Sequence, residues 1–217
     1  GNGTGSAPHP IYRAVWLREA ILGDEVKAPP AEVPALADSA GDSAEQALSI
    51  KEILAKHRTV ESCNDCHVRL DPWGIPFERY NAIGKYQSLV PKEGTRVRGF
   101  DRKRDNDLAG YAKYLEGLNT QVVVAGSRVP HGPQVDGMEH LKAHLLDSRK
   151  HDVAENMIRR LLAYSIGREL NYRDRYEVEN IFSRARENDF LLQDMIVAIC
   201  QSSIFHNRTG NVSKGDN

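Results

Sequence analysis

The sequence predicts a mainly α-helical protein with at most a small β element. Apolar residues recur at helical spacing along most of the chain, and Val122-Val123-Val124 is the only convincing β-branched run. In Cys63-Asn64-Asp65-Cys66-His67, two cysteines are separated by two residues and followed directly by a histidine. This spacing is typical of covalent attachment of a c-type haem. We therefore expect a helical c-type cytochrome module with a helical C-terminal domain packed against it.

The motif gives each of its three functional residues a chemical role. The thiols of Cys63 and Cys66 each add to one vinyl group at the porphyrin edge, and the short spacer lets both reach it. His67 then turns beneath the ring and binds iron through an imidazole nitrogen as the proximal ligand. The predicted cofactor is one covalently bound haem c.

Two other kinds of site also use a CxxC pair. Cys200 is the only other cysteine, so a zinc site would need two histidines from elsewhere in the chain. A thioredoxin-like pair would follow a strand and open a helix, whereas residues 48–57 before the motif have helical spacing. The pattern favours haem attachment over both.

Composition and charge exclude several classes of partner. Of the 217 residues, 40% are hydrophobic and 27% are charged, which is enough for one good core or two small ones. The formal net charge of -1 provides no general attraction to nucleic acid or to an anionic membrane. The longest purely apolar run, residues 195–200, is too short to cross a bilayer. We expect no nucleic-acid partner and no membrane insertion.

Haem c is attached outside the cytoplasm, so the motif predicts a periplasmic or otherwise exported protein. The start of the chain has no basic region followed by an apolar one, and no signal peptide is visible. We interpret the chain as a mature form or as part of a longer one. Its three cysteines do not suggest a disulfide framework, which leaves Cys200 as a free thiol on a hydrophobic helix.

Before the motif, the chain is predicted to form two helices joined by a linker. Residues 1–10 are rich in Gly, Pro and Ser and are expected to be flexible. A lead-in helix ends at Gly23 and has its apolar face at Ile11, Val15, Trp16, Ala20 and Ile21. Pro29 and Pro30 mark an extended linker. In the next helix His57 shares a face with Ala47, Ile50 and Leu54, so we expect its side chain to point inward.

The segment after the motif is predicted to shape the surroundings of the haem. Two prolines and a glycine within residues 70–76 indicate a turn, and residues 77–83 a short helix. Trp73, Ile75 and Phe77 are candidates to wrap an apolar porphyrin edge, with ordinary core packing as the alternative. Residues 85–105 are polar and basic, as in a solvated loop or a docking surface.

The C-terminal half is predicted to be a series of amphipathic helices. Residues 108–118 form the first, and Asp136 is expected to cap the second. A longer helix over residues 153–162 ends near Gly167. Two more helices are predicted over residues 176–186 and 190–204.

The use of the haem depends on the ligand opposite His67. A strong sixth ligand favours electron transfer, because little rearranges when the oxidation state changes, whereas an open site permits binding of small oxidants. His57 is the first candidate, with a place in the core or a hydrogen bond to a propionate as the alternative. The other candidates are His131, Met138, Met157, Met195 and Cys200. The three methionines are expected on inward helical faces, where methionine more often fills core.

Two arginines are candidates to bind the haem propionates. Guanidinium holds carboxylates in a two-pronged manner, which suits both Arg58 and Arg168. For Arg168, a structural ion pair with Asp174 or Glu169 is the alternative. Tyr164, one turn before Arg168, could add a hydrogen bond.

Several segments of this chain resemble one family of cytochromes. The first group is Lys56-His57-Arg58, Cys63-Asn64-Asp65-Cys66-His67, Leu70-Asp71-Pro72-Trp73-Gly74-Ile75, Phe77-Glu78 and Ala82-Ile83-Gly84. The second is Val135-Asp136-Gly137, residues 161–170 and Ile196-Val197-Ala198-Ile199 with Ser202 and Phe205. On these residues the chain resembles the C-terminal region of the planctomycete-type c cytochromes, large exported proteins whose tail consists of two adjoining domains of unknown function.

The resemblance implies an exported haem c module and a division of the chain. We expect a flexible N-terminus at residues 1–10 and a haem c domain at 11–89, with the lead-in helix and Pro-rich linker. Residues 90–120 are longer than the family pattern and form an insert. A C-terminal helical domain follows at 121–206, and then a flexible tail at 207–217.

Three functions from different classes fit these expectations. The main hypothesis is electron transfer by a single-haem module, with a redox partner protein or other domains of a larger chain as its partner. The second is a peroxidase-like haem enzyme with an open or displaceable sixth site. The third is a partner-binding module in which the haem is structural.

Overall fold

The computed structural model confirms a mainly α-helical fold with two small antiparallel strand pairs. It describes residues 9–27, 61–92, 98, 101–105 and 108–207, without the side chains of residues 61–63, 102, 105, 108 and 112. The predicted Pro29-Pro30 linker, the helix that carries His57, and nearly all of both predicted tails lie outside this description. The chain divides into two compact units, here called the first unit (Gly1–Arg18 with Glu25–His144) and the second unit (Glu19–Asp24 with Leu145–Asn217).

The first unit combines packed helices with the two strand pairs. Helix α1 (Pro10–Trp16) packs against α2 (Glu61–Gly74) and against the 3-10 helix that follows α2 (Ile75–Arg79). The strands are β1 (Leu89–Pro91), β2 (Thr120–Val122), β3 (Gly126–Arg128) and β4 (Gln134–Asp136), paired antiparallel as β1 with β2 and β3 with β4. The remaining helices are α3 (Arg102–Asp105), α4 (Leu108–Glu116) and α5 (Gly137–Ser148). The β-branched run thus supplies one short strand that ends at Val122.

The buried face of the lead-in helix differs from the predicted one. The helix passes from α1 into a π-helical stretch, Leu17–Leu22, before Gly23 adopts a positive φ of 75°. The predicted apolar face was wrong at Trp16, which is 44% exposed, while Ile11, Val15, Ala20 and Ile21 are half-buried. The side chains that are buried instead are Pro10, Arg13, Ala14, Leu17 and Leu22. Because the buried face includes the charged residue Arg13, the spacing of apolar residues did not predict it.

The predicted turn over residues 70–76 was wrong, because α2 continues through Pro72 to Gly74. Pro72 has no N–H to donate to the carbonyl of Val68, which normally ends or kinks a helix. Tertiary contacts offset this loss here, since Ser127 of β3 donates from Oγ to the Pro72 carbonyl at 2.6 Å and Trp73 is buried. The predicted helix over residues 77–83 is replaced by the 3-10 helix, after which Tyr80 is extended.

Gly74 marks the closest approach of α1 to the end of α2. A Cβ atom at Gly74 would lie 2.1 Å from the carbonyl oxygen of Pro10 and 2.7 Å from its carbonyl carbon. These are backbone atoms, so they can give way only if the two helices move apart. Helices α1 and α2 can therefore lie this close together only because residue 74 is a glycine.

We expect Gly74→Ala to lower the free energy of unfolding of the first unit by about 2 kcal/mol, the range for overpacking a tight contact. Urea unfolding followed by tryptophan fluorescence measures this, because Trp16 and Trp73 are the only two tryptophans and both lie in the first unit. Gly117→Ala is the matched control, since a Cβ there meets its nearest atom at an ordinary 3.5 Å. Equal stabilities of the two variants would contradict this account.

The second unit is a cluster of helices around one apolar core. Its helices are α6 (Lys150–Ile166), α7 (Arg175–Glu187), α8 (Leu192–Cys200) and α9 (Ser203–His206), with a 3-10 turn at Tyr172–Asp174. The core consists of Ala154, Ile158, Leu162, Val178, Ile181, Ala185, Met195, Ala198 and Ile199. As predicted, α6 ends at Gly167, whose φ of 70° is favourable for glycine. Among the described residues, no helix has the length and apolar character needed to cross a bilayer.

Two predictions for the second unit need correction. The single helix expected over residues 190–204 is two helices, because Ser202 lies between α8 and α9 and donates from Oγ to the Ile199 carbonyl at 2.6 Å. The expected inward position of Met157 was wrong, since it is 40% exposed. Met195, by contrast, is buried in the core. Helix α6 has apolar residues on two adjacent faces, so the spacing of apolar residues alone did not determine which face is buried.

Candidate haem-attachment site

Helix α2 carries the whole CxxCH motif. Its backbone is helical from Glu61 onward, so residues 63, 66 and 67, three and four positions apart, lie on one face of the helix. The Cys66 thiol is free and exposed. The side chain of Cys63 is outside the description. The helix therefore brings the attachment positions and His67 to one side.

His67 has a hydrogen-bond partner one turn further along α2. Its Nδ1 lies 2.8 Å from Oδ1 of Asp71. The side chain of Asp71 is completely buried, with 0% exposed, and that of His67 is 12% exposed. Four-residue spacing places the two side chains on the same face of the helix. The hydrogen bond to the buried Asp71 carboxylate thus holds the His67 imidazole in one orientation.

This contact determines which nitrogen of His67 is available to a metal. A carboxylate accepts hydrogen bonds, so the neutral tautomer that fits this contact has its N–H on Nδ1, directed at Oδ1 of Asp71. In that tautomer the lone pair is on Nε2, the nitrogen that would coordinate a metal. A hydrogen bond from the second ring nitrogen to a carboxylate is the usual way in which proteins orient a ligating histidine and raise its basicity. The pair can therefore present a pre-oriented nitrogen ligand.

The apolar residues after the motif are mostly buried in the first unit. Trp73 and Ile75 are buried, and Phe77 is half-buried. The Trp73 ring lies 6.2 Å from the ring of His144 on α5. These side chains anchor the end of α2, and their predicted contact with a porphyrin edge remains an expectation.

Two segments of the chain match known protein families. Residues 1–89 match a family described as a protein of unknown function (DUF1588), and residues 131–205 match a second such family (DUF1585). The chain joins a DUF1588 domain to a DUF1585 domain. Both families are associated with the planctomycete-type cytochromes. No curated protein and no solved structure matches the chain.

The two matches put the features of the site in one domain. The CxxCH motif, His67 and Asp71 all lie in the DUF1588 domain. Residues 90–130 lie between the matches and include the predicted insert at 90–120. The DUF1585 match begins at residue 131, before the division between the compact units at residue 144.

A buried arginine organises the DUF1588 domain beside α2. Nη1 of Arg13 donates to the carbonyls of Phe77 and Tyr80 at 2.9 and 2.7 Å, and Nη2 donates to the carbonyl of Asn81 at 2.8 Å. These carbonyls lie at the end of the 3-10 helix and just after it, and those of Phe77 and Asn81 also accept from the backbone N–H groups of Tyr80 and Gly84. One side chain from α1 thus fixes the chain that leaves α2.

Glu78, in the same 3-10 helix, has an unusual environment. Its Oε1 is buried and has no hydrogen-bond partner. Burial raises the pKa of the Glu78 carboxyl to about 7, and the positive charge of Arg13 opposes part of this rise. Sequence analysis assigned no functional role to Arg13 or Glu78. Arg13 stands within an apolar helical pattern, and Glu78 is part of the Phe77-Glu78 segment of the family resemblance.

In the DUF1585 domain, Arg168 has an acidic partner of its own chain. Its Nη1 and Nη2 donate to the two carboxylate oxygens of Asp174 at 2.6 and 2.9 Å. The structure thus confirms the ion pair that was the alternative to propionate binding. The hydrogen bond from Arg168 lowers the pKa of the Asp174 carboxyl. The ion pair therefore stabilises the fold at pH values above the ordinary carboxyl pKa, and this stabilisation is lost as the pH falls through the lowered pKa of Asp174.

The other candidates for iron or propionate binding are scattered or undescribed. His57 and Arg58 lie outside the described residues. Tyr164 is 87% exposed, and the thiol of Cys200 is free and exposed. Among the remaining candidates, His131 is exposed with a φ of 56° and Met138 is half-buried. The structure assigns no sixth ligand among the residues that it describes.

Proposed function

We propose that the chain is a c-type cytochrome module that carries one covalently bound haem and transfers electrons outside the cytoplasm. The observation that carries this proposal is the hydrogen bond from His67 to the buried Asp71, one turn after the CxxCH motif. It lies in a domain of a cytochrome-associated family. A buried carboxylate that orients the motif histidine is one of the arrangements by which proteins hold a metal-ligating imidazole.

The described residues of α2 fit a haem. Cys63 and Cys66 would hold the porphyrin through thioether bonds, and the Cys66 thiol is free for this reaction. His67 would offer Nε2 to iron, while Asp71 keeps the proton on Nδ1. The haem supplies the change between ferric and ferrous iron. The protein holds it, orients its proximal ligand and sets how strongly that ligand donates.

The proposal includes the compartment and the partner. Haem c is attached outside the cytoplasm, so the protein would act in the periplasm or an equivalent compartment. Electrons would pass to or from a redox partner protein or another domain of a longer chain. We propose His57 as the sixth ligand because of its position in the sequence shortly before the motif.

A peroxidase-like enzyme is the second candidate, and the same observation favours it. A carboxylate bonded to Nδ1 raises the basicity of the imidazole and its donation to iron. Strong donation from the proximal side also supports activation of small oxidants at an open sixth position. The two functions therefore share the proximal side and differ in the distal ligand.

The decisive experiment is the mass and spectrum of protein matured in a host that exports it and attaches haem c. We expect the intact mass to exceed that of the polypeptide by one haem, with the absorption bands of a c-type cytochrome. Cys63→Ala combined with Cys66→Ala should lose the covalent haem completely. Cys200→Ala is the matched control and should retain it. A polypeptide mass without porphyrin for the unmodified chain would refute the proposal.

The spectrum of the same material distinguishes the two candidates. Six-coordinate, low-spin iron in both oxidation states indicates an electron carrier. A high-spin component that shifts with cyanide or carbon monoxide indicates an open site. His57→Ala should convert low-spin to high-spin iron if His57 is the sixth ligand, and an unchanged spectrum would exclude it.

A further inference from the structure

Glu78 is a buried acid that the proposed haem attachment does not use. Its Oε1 is buried and partnerless, and buried polar atoms without a partner are rare in folded proteins. The nearby guanidinium of Arg13 is engaged by three backbone carbonyls. Glu78 therefore has a cation close by, while its buried Oε1 accepts no hydrogen bond that would favour the ionised form.

The position of Glu78 relates it to the haem-attachment helix. The 3-10 helix begins directly after α2, and α1 packs against both. Seven residues of α-helix and four of 3-10 helix separate His67 from Glu78, a path of about 20 Å at most. A change of charge on iron held by His67 therefore acts on this acid through the interior of one compact unit.

The charged surroundings of Glu78 are few. Titratable or charged side chains at the elements packed against the 3-10 helix are His9, the N-cap of α1, Tyr12 and Arg13 of α1, His67, Arg69 and Asp71 of the last turns of α2, and Arg128 of β3. Among these, Arg13 is the charge that acts on Glu78. Asp71 is bonded to His67, and Arg69 and Arg128 are exposed. The next residue in the chain, Arg79, is bonded to Asp136.

We propose that Glu78 is a proton-binding site coupled to the oxidation state of the haem, so that electron transfer by this protein is also proton transfer. The inference rests on the proposed function. When the haem passes one electron to an oxidising partner protein, the Glu78 O–H bond breaks and one proton leaves to solvent. On reduction, one electron enters and Glu78 takes up one proton. The carboxylate thus offsets the positive charge that oxidation adds.

The acid has the properties that this coupling needs. The pKa of Glu78 lies at about 7, so a modest shift caused by a charge on iron changes its protonation at neutral pH. Its Oε1 is buried, which preserves the interaction with other charges. The residue as a whole is half-buried, which leaves a route for proton exchange with water.

The test is a redox titration of the haem-loaded protein between pH 5 and pH 9. For the unmodified chain we expect the midpoint potential to fall as the pH rises through 7, with a slope below the limit of about 59 mV per pH unit for one proton and one electron, because the pKa shift is modest. Glu78→Gln, which keeps the shape of the side chain, should remove this fall. Glu116→Gln, at an exposed position of α4, is the matched control and should retain it.

Infrared difference spectra of the reduced and oxidised protein give a second readout that needs no stable variant. A protonated-carboxyl band should disappear on oxidation of the unmodified chain. A potential independent of pH in this range, or the same slope in Glu78→Gln, overturns the inference although the haem is present. Absence of haem from the intact mass overturns the proposed function itself, and this inference with it.

Discussion

Replacing Arg13 by alanine is expected to lower the free energy of unfolding of the first unit by about 3–5 kcal/mol, the largest effect of a single substitution on its stability. The side chain is buried in α1 and donates to the carbonyls of Phe77, Tyr80 and Asn81. Each bond to a charged donor contributes about 1.5–3 kcal/mol. The carbonyls of Phe77 and Asn81 keep their bonds from the N–H groups of Tyr80 and Gly84, so the loss is smaller than the sum of three such bonds. The variant also removes the cation beside Glu78.

Urea unfolding followed by tryptophan fluorescence measures this loss in the first unit alone, because both tryptophans lie there. Arg69→Ala is the matched control, since Arg69 is exposed on α2 and its loss should change stability by less than about 0.5 kcal/mol. Arg13→Lys keeps the positive charge but lacks the planar guanidinium, so its free energy of unfolding should lie between those of Arg13→Ala and Arg69→Ala. If Arg13→Ala were as stable as Arg69→Ala, the buried guanidinium would not hold α1 to the segment after α2.

Replacing Asp71 by asparagine is expected to affect both folding and the haem. The side chain is fully buried, and asparagine replaces one acceptor oxygen of the carboxylate by an NH2 donor. We expect a loss of about 1–3 kcal/mol in the free energy of unfolding, typical of a buried group left unpaired. In haem-loaded protein, His67 loses its anionic acceptor and donates less to iron, which destabilises the ferric form.

The midpoint potential should therefore rise, by roughly 59 mV if the preference for ferric iron falls tenfold. A redox titration at constant pH measures this shift, and urea unfolding measures the change in stability. Glu116→Gln is the matched control, because Glu116 is exposed on α4 outside the haem motif and should leave both quantities unchanged. Equal potentials for the two variants would show that Asp71 does not act through His67.

The helical architecture and the attachment motif were accessible from the sequence, while the partner of the histidine was not. The spacing of Cys63, Cys66 and His67 is a local covalent pattern and needs no fold to be recognised. Asp71 stood in the sequence four residues after His67. The proline at position 72 indicated a turn there and obscured the helical register that joins the two side chains.

The sequence by itself determined the features that depend on neighbours in the chain: a mainly helical class with little β structure, the CxxCH spacing and the glycine end of α6 at Gly167. Only the tertiary structure decided which side chains are inside. Arg13 is buried because distant backbone carbonyls satisfy its charge, and α2 continues through Pro72 where β3 and the core support it. Burial of a polar group depends on partners supplied by the fold, and no periodicity in the sequence encodes those partners.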